Sequence, residues 1–320
     1  MGADLAQAIG LLAAAAVAVG VVTFLSMWVH RANDEKGKVA LTMGLYIVFG
    51  AFSFFLTLYG LGSAYREYRE GNSIDDRSVL ALIIGLIGAL GLVPSLRRLV
   101  TKVVPFDPNS KSDMVGFVII GWISALSAFA LFVSDTEVDS VGYLDLIIQN
   151  AALIAIAFIA VGIGFHRSPR AAIERLGLRI PTGRHVAIGL GLVFVAFVIS
   201  AISSGLVSLL QPDLYDEINE NLREMTTEFD TAWGALILGI MSGAGEETLF
   251  RGAIQPRFGI VFTAIVFALL HAQYGASFVT LGVFGVGILF GLERKYFNTT
   301  TAIITHATYN TIAVLISLLA

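Results

Sequence analysis

The 320-residue sequence has no cysteine and few charged residues. Without thiols the chain has no disulfide, no thiolate zinc site and no cysteine nucleophile, and its redox compartment stays open. Charged residues make up 14% against 56% hydrophobic, too little polar surface to cover a soluble globule. An excess of positive charge is missing too. The net charge is −4 and no basic face stands ready to neutralise phosphates, which excludes nucleic acid as a partner. Tandem repeats, low-complexity tracts and a phosphate loop are absent; Gly282, Gly285, Gly287 and Gly291 fall irregularly within an apolar run and read as close helix packing. The start of the chain lacks a basic n-region and a small-residue cleavage site, so the first apolar run reads as a retained anchor.

What the sequence does have is long apolar runs, at about Leu5–Val29, Val39–Gly62, Val79–Leu96, Val115–Val133, Tyr143–Phe165, Val186–Leu210 and Ala232–Ala253. Shorter ones follow at about Ile260–His271, Phe278–Leu292 and Ala302–Leu319. Set against a hydrocarbon core of roughly 30 Å, these runs predict an all-α, polytopic transmembrane helical bundle of about ten spans. Lysine and arginine alternate between the loops accordingly. Sixteen of the twenty fall on one side: Arg31, Lys36, Lys38, Arg97, Arg98, Lys102, Lys111, Arg167, Arg170, Arg175, Arg179, Arg184, Arg251, Arg257, Arg294 and Lys295. The opposite side holds Arg66, Arg69, Arg77 and Arg223 together with the acidic stretches Asp135 to Asp139 and Asp213 to Asp230. The positive-inside rule makes the first side cytoplasmic and puts both termini on the non-cytoplasmic side.

A basic, amphipathic, proline-bounded linker at Ser168–Pro181 divides the chain and is expected to form one short helix at the cytoplasmic interface. Residues 1–167 form a group of about five spans with almost no ionisable residue in their apolar cores, and no role can be assigned to them. Residues 168–320 carry every intramembrane charge. Within this part, Leu214, Ile218, Leu222 and Met225 share a helical face in an acidic setting, which predicts a short surface helix on the far side.

Ionisable residues at membrane depth are functional suspects because an unpaired charge there costs several kcal/mol. Glu247 and Arg251 stand four residues apart, acid before base, the favoured order for an intrahelical ion pair. Glu246 projects about 100° away from Glu247 and has no such cation. His306 and Asn310 are again four apart, and His271 supplies a third helix. At a rise of 1.5 Å per residue, Glu246 lies roughly 15 Å, His271 about 20 Å, and His306 and Asn310 about 7 and 13 Å from the cytoplasmic interface. The four can therefore meet in one chamber that opens to the cytoplasm. His271 alone would read as a helix-packing histidine, while His30, His166 and His185 at span edges read as interfacial. Tyr274, Tyr309 and Trp233 read as interface anchors or pocket walls.

A carboxylate braced by imidazole can deprotonate water while imidazole and amide donors stabilise an oxyanion, a set suited to amide hydrolysis. The same groups, Glu246, His271 and His306, could instead hold a zinc ion whose bound water is acidified. The His-Glu-x-x-His helix of soluble zinc peptidases is absent. Two other function classes fit intramembrane charges: a proton-coupled transporter relaying through Glu246, His271 and His306, and a non-catalytic membrane scaffold or immunity protein. The first five spans show no counterpart of the polar motif, as an inverted-repeat transporter would.

The ordered set Glu246-Glu247-x-x-x-Arg251, Phe267-x-x-x-His271 and His306-x-x-x-Asn310 resembles the three motifs of the CAAX-protease and bacteriocin-processing (CPBP, or Abi) family of intramembrane endopeptidases. Leu176-Gly177-Leu178-Arg179 is similar to a linker that many members carry before a span. The resemblance covers about residues 168–320. It implies a CAAX-type peptidase, glutamate-dependent or metal-dependent, in which Glu246 is the general base assisted by His271. In that scheme His306 and Asn310 stabilise the oxyanion, and Glu247 with Arg251 keeps the site in shape. It also implies a multi-pass protein of the lipid bilayer whose substrate is a prenylated or other membrane-associated peptide.

Overall fold

The protein is described from a computed structural model that covers residues 2–32, 38–133 and 140–318. Lys36, the stretch Asp135 to Asp139 and Leu319 lie outside the described residues. Among the described residues every regular element is helical, and the sole β-type pairing is an isolated bridge between Ile163 and Arg167. Five helices are long and apolar enough to cross a membrane, at Ile9–Ala32, Lys38–Glu70, Lys111–Phe132, Tyr143–Ala160 and Gly183–Leu210. This is the architecture of an integral membrane protein. None of the last four expected spans reaches that length and apolarity as a single unbroken helix.

Contacts group the chain into two compact units. The unit Met27–Val133 contains the end of α1 (Gly2–Ala32), α2 (Lys38–Glu70), α3 (Asp76–Leu92), α4 (Pro94–Val100) and α5 (Lys111–Val133). Trp122 of α5 stacks on Phe49 of α2 with ring centroids 5.6 Å apart and donates its indole N–H to the Ile84 carbonyl of α3. The expected span Val79–Leu96 is corrected here. Proline disfavours helical backbone in the residue before it, and Val93, extended at φ −74° and ψ 118°, ends α3 ahead of Pro94. The chain turns by 96° into α4. Arg97 closes the corner by donating to the Gly91 carbonyl at 2.9 Å and the Pro108 carbonyl at 2.6 Å.

The other unit comprises Met1–Ser26 and Ser134–Ala320. It contains α6 (Tyr143–Ala160), α7 (Pro169–Leu176), α8 (Gly183–Leu210), α9 (Pro212–Thr226), α10 (Ala232–Glu247) and α11 (Gln255–Phe258). α12 (Ile260–Leu269), α13 (Phe278–Tyr296) and α14 (Thr299–Ser317) complete it. The span expected to run to Phe165 stops at Ala160, because Gly162 and Gly164 take left-handed backbone at φ +94° and +76°. α7 is the short linker helix expected from the sequence, capped by Ser168, and α9 is the expected acidic surface helix.

The linker does more than connect. Gly177 ends α7 at φ +70°, a conformation that glycine adopts without a steric penalty, and its Cα faces the Arg294 guanidinium, where a Cβ would come within 2.5 Å. The turn then docks on the start of α14. Thr299 N–H donates to the Gly177 carbonyl at 3.1 Å, the Thr299 hydroxyl donates to Leu176, and Thr300 Oγ1 exchanges hydrogen bonds with the Arg179 backbone. Arg175 reaches the Gly252 carbonyl at 3.1 Å, which fixes the linker against the helix bearing the charged motif.

Candidate active site

α10 starts at a Thr231 cap, whose hydroxyl accepts from Gly234 N–H at 2.9 Å, and descends through a run of small residues to Ser242, Glu246 and Glu247. Small residues let it lie close against α14: a Cβ on Gly243 would stand 2.9 Å from the Ala307 backbone nitrogen. After Glu247 the helix widens into a π-helical segment, Thr248–Ile254, a distortion that recurs at functional sites.

Glu247 and Arg251 form the expected ion pair, Nε to Oε2 at 3.1 Å, with both side chains wholly buried. Three aromatic rings surround the guanidinium, Phe267 at 4.9 Å, Phe290 at 5.8 Å and Phe250 at 6.0 Å from its carbon. Cation–π attraction of this kind supports a charge that has no water around it. His306 joins the pair. Its Nδ1 lies 2.9 Å from the other Glu247 oxygen, and its ring stacks on Phe290 with centroids 4.9 Å apart. A carboxylate only accepts, so Nδ1 carries the proton of that bond. The spacing argument set His306 beside Asn310 in the Glu246 chamber, whereas its hydrogen bond goes to Glu247.

Glu246 turns away from this buried pair. Its Oε2 lies 3.9 Å from His271 Nε2, and both side chains are 21% exposed. His271 sits just past the end of α12 and its Nδ1 is 2.7 Å from the Phe267 carbonyl. A carbonyl accepts and never donates, so Nδ1 holds a proton and the neutral ring presents a lone pair at Nε2. Tyr274 stacks parallel to the imidazole, centroids 6.1 Å apart. Asn310 donates its amide to Ser242 Oγ at 2.9 Å, one helical turn before Glu246. Tyr309 is a wall of the same region, its hydroxyl 2.7 Å from Ser200 Oγ.

The structure thus brings Glu246 to His271, Glu247 to Arg251 and His306, and Asn310 to α10. It does not assemble a zinc site. Among the described residues no three His, Asp or Glu side chains are arranged to hold a metal, because His306 is turned to Glu247 while Glu246 faces His271 alone. The residues present do not fit the zinc ligand set Glu246, His271 and His306.

Residues 228–312 match the family profile described as Rce1-like, type II CAAX prenyl endopeptidase. This segment is similar to the Rce1-like CAAX proteases. No curated protein and no solved structure matches the chain significantly. The Rce1-like segment contains all seven named motif residues, from Glu246 to Asn310, and runs from the turn before α10 into α14.

Three residues near the site escaped the spacing argument. Ser242 gave no signal beyond its place one turn before Glu246. Glu293, buried in α13, looks in sequence like part of an interfacial Glu-Arg-Lys run. Asn150 of α6 lies outside the Rce1-like segment; it is buried, and its side chain covers the Cα of Gly245, the residue before Glu246. A Cβ on Gly245 would stand 2.1 Å from Asn150 Oδ1. Gly245→Ala is therefore expected to push α10 off α6 and lower peptide turnover at least tenfold, and pairing it with Asn150→Ala should restore more than half of the loss. Rates of the two variants on one peptide check this.

Proposed function

We propose that the protein is an intramembrane endopeptidase that hydrolyses a peptide bond of a prenylated CAAX-type protein or another membrane-associated peptide. The observation that carries this reading is the facing pair Glu246 and His271. Two acceptors 3.9 Å apart suit one water. A water at about 2.8 Å from each would see them about 90° apart, close to the angle between its own two O–H bonds. Held by both hydrogens, the water directs its lone pairs outward, toward a substrate carbonyl.

The step balances with these residues alone. Glu246 takes one proton as the water oxygen bonds to the carbonyl carbon, and the carbonyl oxygen becomes an oxyanion. His306, as an imidazolium whose Nδ1–H stays on Glu247, would donate from Nε2 to that oxyanion, and Asn310 would donate its second amide hydrogen. Donors aimed at developing charge in a dry site are worth about 2.7–4 kcal/mol each. Glu246 then returns the proton to the leaving amine as the C–N bond breaks, releasing a new carboxylate and a new amine. Glu247 acts through its partners, since Arg251 neutralises it and it fixes the His306 ring through Nδ1. We further place the site in a bundle of about ten spans with both termini outside, so that it opens to the cytoplasm; the distribution of lysine and arginine supports this.

The experiment incubates purified protein in bilayer discs with a farnesylated CAAX peptide and a panel of membrane peptides, beside Glu246→Ala and His271→Ala. Cleavage by the parent protein and its loss in both variants is the expected result; equal turnover by all three overturns the reading. Dialysis against a metal chelator is expected to leave the rate within twofold, and loss of activity restored by added zinc would contradict a route built on Glu246 and His271 alone.

A further inference from the structure

The π-helical segment Thr248–Ile254 runs into Pro256, and that proline has no N–H to give. A residue there would serve the carbonyl four back, Gly252, or in a π turn the carbonyl five back, Arg251. The neighbouring donor is already committed. Gln255 N–H reaches back five residues to the Phe250 carbonyl, so it does not serve Arg251 at four. Arg251 and Gly252 are both buried, where a carbonyl without a donor costs about as much as a lost hydrogen bond.

Two arginines from other elements fill those places. Arg294 of α13 donates from Nε to the Arg251 carbonyl at 3.2 Å, and Arg175 of α7 donates from Nη1 to the Gly252 carbonyl at 3.1 Å. The two are themselves joined, Arg294 Nη2 lying 3.5 Å from the Arg175 carbonyl. Gly177 leaves the space that the Arg294 guanidinium occupies, since a Cβ there would stand 2.5 Å from its Cζ. A cationic donor also bonds more strongly than the neutral amide it replaces.

These bonds favour one register of the turn. In an α register Gln255 N–H would serve Arg251 and the Arg294 donor would be redundant; in the π register the arginine is what serves it. Register in turn decides where Arg251 points. An α turn takes 3.6 residues and a π turn more, so rewinding would turn Arg251 relative to Glu247 and to Phe267 and Phe290, the rings on α12 and α13 that flank its guanidinium. We propose that Arg175 and Arg294 are positioning residues of the active site, which supply from α7 and α13 the donors that Pro256 withholds and so hold the π turn that sets Arg251 against Glu247. The inference rests on the peptidase reading.

The test compares Arg294→Met, Pro256→Ala and the double variant with Glu246→Gln in one peptide-cleavage assay. Methionine keeps much of the side chain's length and removes its donors. Alanine at position 256 returns an N–H, which in the π register meets the Arg251 carbonyl while Arg175 keeps that of Gly252. The proposal predicts a kcat for R294M at least tenfold below the parent with KM within twofold, and a double variant within threefold of P256A. A role of Arg294 in packing or surface charge predicts no rescue. With E246Q inactive, the proposal is overturned by an R294M kcat within twofold of the parent, or by a double variant that loses as much against P256A as R294M loses against the parent. Cleavage by E246Q overturns the peptidase reading instead. An R294M that fails to fold beside a double variant that folds counts as the same rescue, and failure of both to fold overturns the proposal. The sequence has one Arg-Gly dipeptide, Arg251-Gly252, so carbon-13 carbonyl arginine combined with nitrogen-15 glycine gives a single reporter apart from turnover. Its carbonyl resonance is expected to move in R294M and to return toward the parental position in the double variant; an unchanged resonance in R294M overturns the proposal.

Discussion

Glu246→Gln is expected to lower kcat by about 10²–10⁴-fold, the range for loss of a positioned general base, with KM within twofold. The amide matches the carboxylate in size, so the substrate and the His271 ring keep their places. What disappears is the acceptor for the proton of the attacking water. The side chain is 21% exposed and faces the His271 imidazole at 3.9 Å, so removing its charge should change the thermal unfolding midpoint less than removing that of the wholly buried Glu247. Initial rates and melting curves on the same preparation check both halves. The contrast with its neighbour is the sharper part: Glu247 is wholly buried between a guanidinium and an imidazole, so Glu247→Gln should lower the midpoint as well as the rate. Equal melting and equal residual rates for the two variants would mean that the division of labour between the adjacent glutamates is wrong.

Arg251→Met is expected to lose most of the folded protein. Removing one partner from a buried ion pair leaves an uncompensated charge and costs about 3–5 kcal/mol. That is a large share of the roughly 5–15 kcal/mol that holds a typical domain together. Methionine fills the volume among Phe250, Phe267 and Phe290, so the loss is electrostatic rather than a cavity effect. The double variant Glu247→Gln/Arg251→Met removes both charges, and its unfolding midpoint should recover most of the way to the parent. Turnover should not recover, because His306 Nδ1 then meets a neutral amide instead of a carboxylate. A single variant that melts like the parent would sink the account, as would a double variant that is fully active.

Much of this could be read from residue spacing. The pairing of Glu247 with Arg251 needs only an i,i+4 count on a helix, and α7 follows from its proline-bounded amphipathic stretch and α9 from its apolar periodicity. Pro94 carried a readable warning that the expected span Val79–Leu96 would break, yet hydropathy averaged over the run hid it. Other features had no sequence signature. Which of two adjacent glutamates meets His306 depends on the rotation of α10 against α14, set by the close approach at Gly243 and by the π-helical segment that begins after Glu247. Glu293 was masked by the Arg-Lys that follows it, because a helix-terminal charge and a buried one look alike until the neighbouring helices are placed. Asn150 lies outside the segment that bears the motifs, and nothing local to it points toward Gly245.

That last contact bears on modularity. Because the Asn150 side chain occupies the space where any residue other than glycine at position 245 would put its Cβ, α6 is moulded to the helix that carries Glu246 and Glu247. A truncation at the linker, after residue 167, would keep every motif residue and still expose one flank of the helix that carries them. A fragment that keeps this flank covered has to begin ahead of Tyr143, and a transplant of the motif-bearing helices into another scaffold would need to bring α6 along.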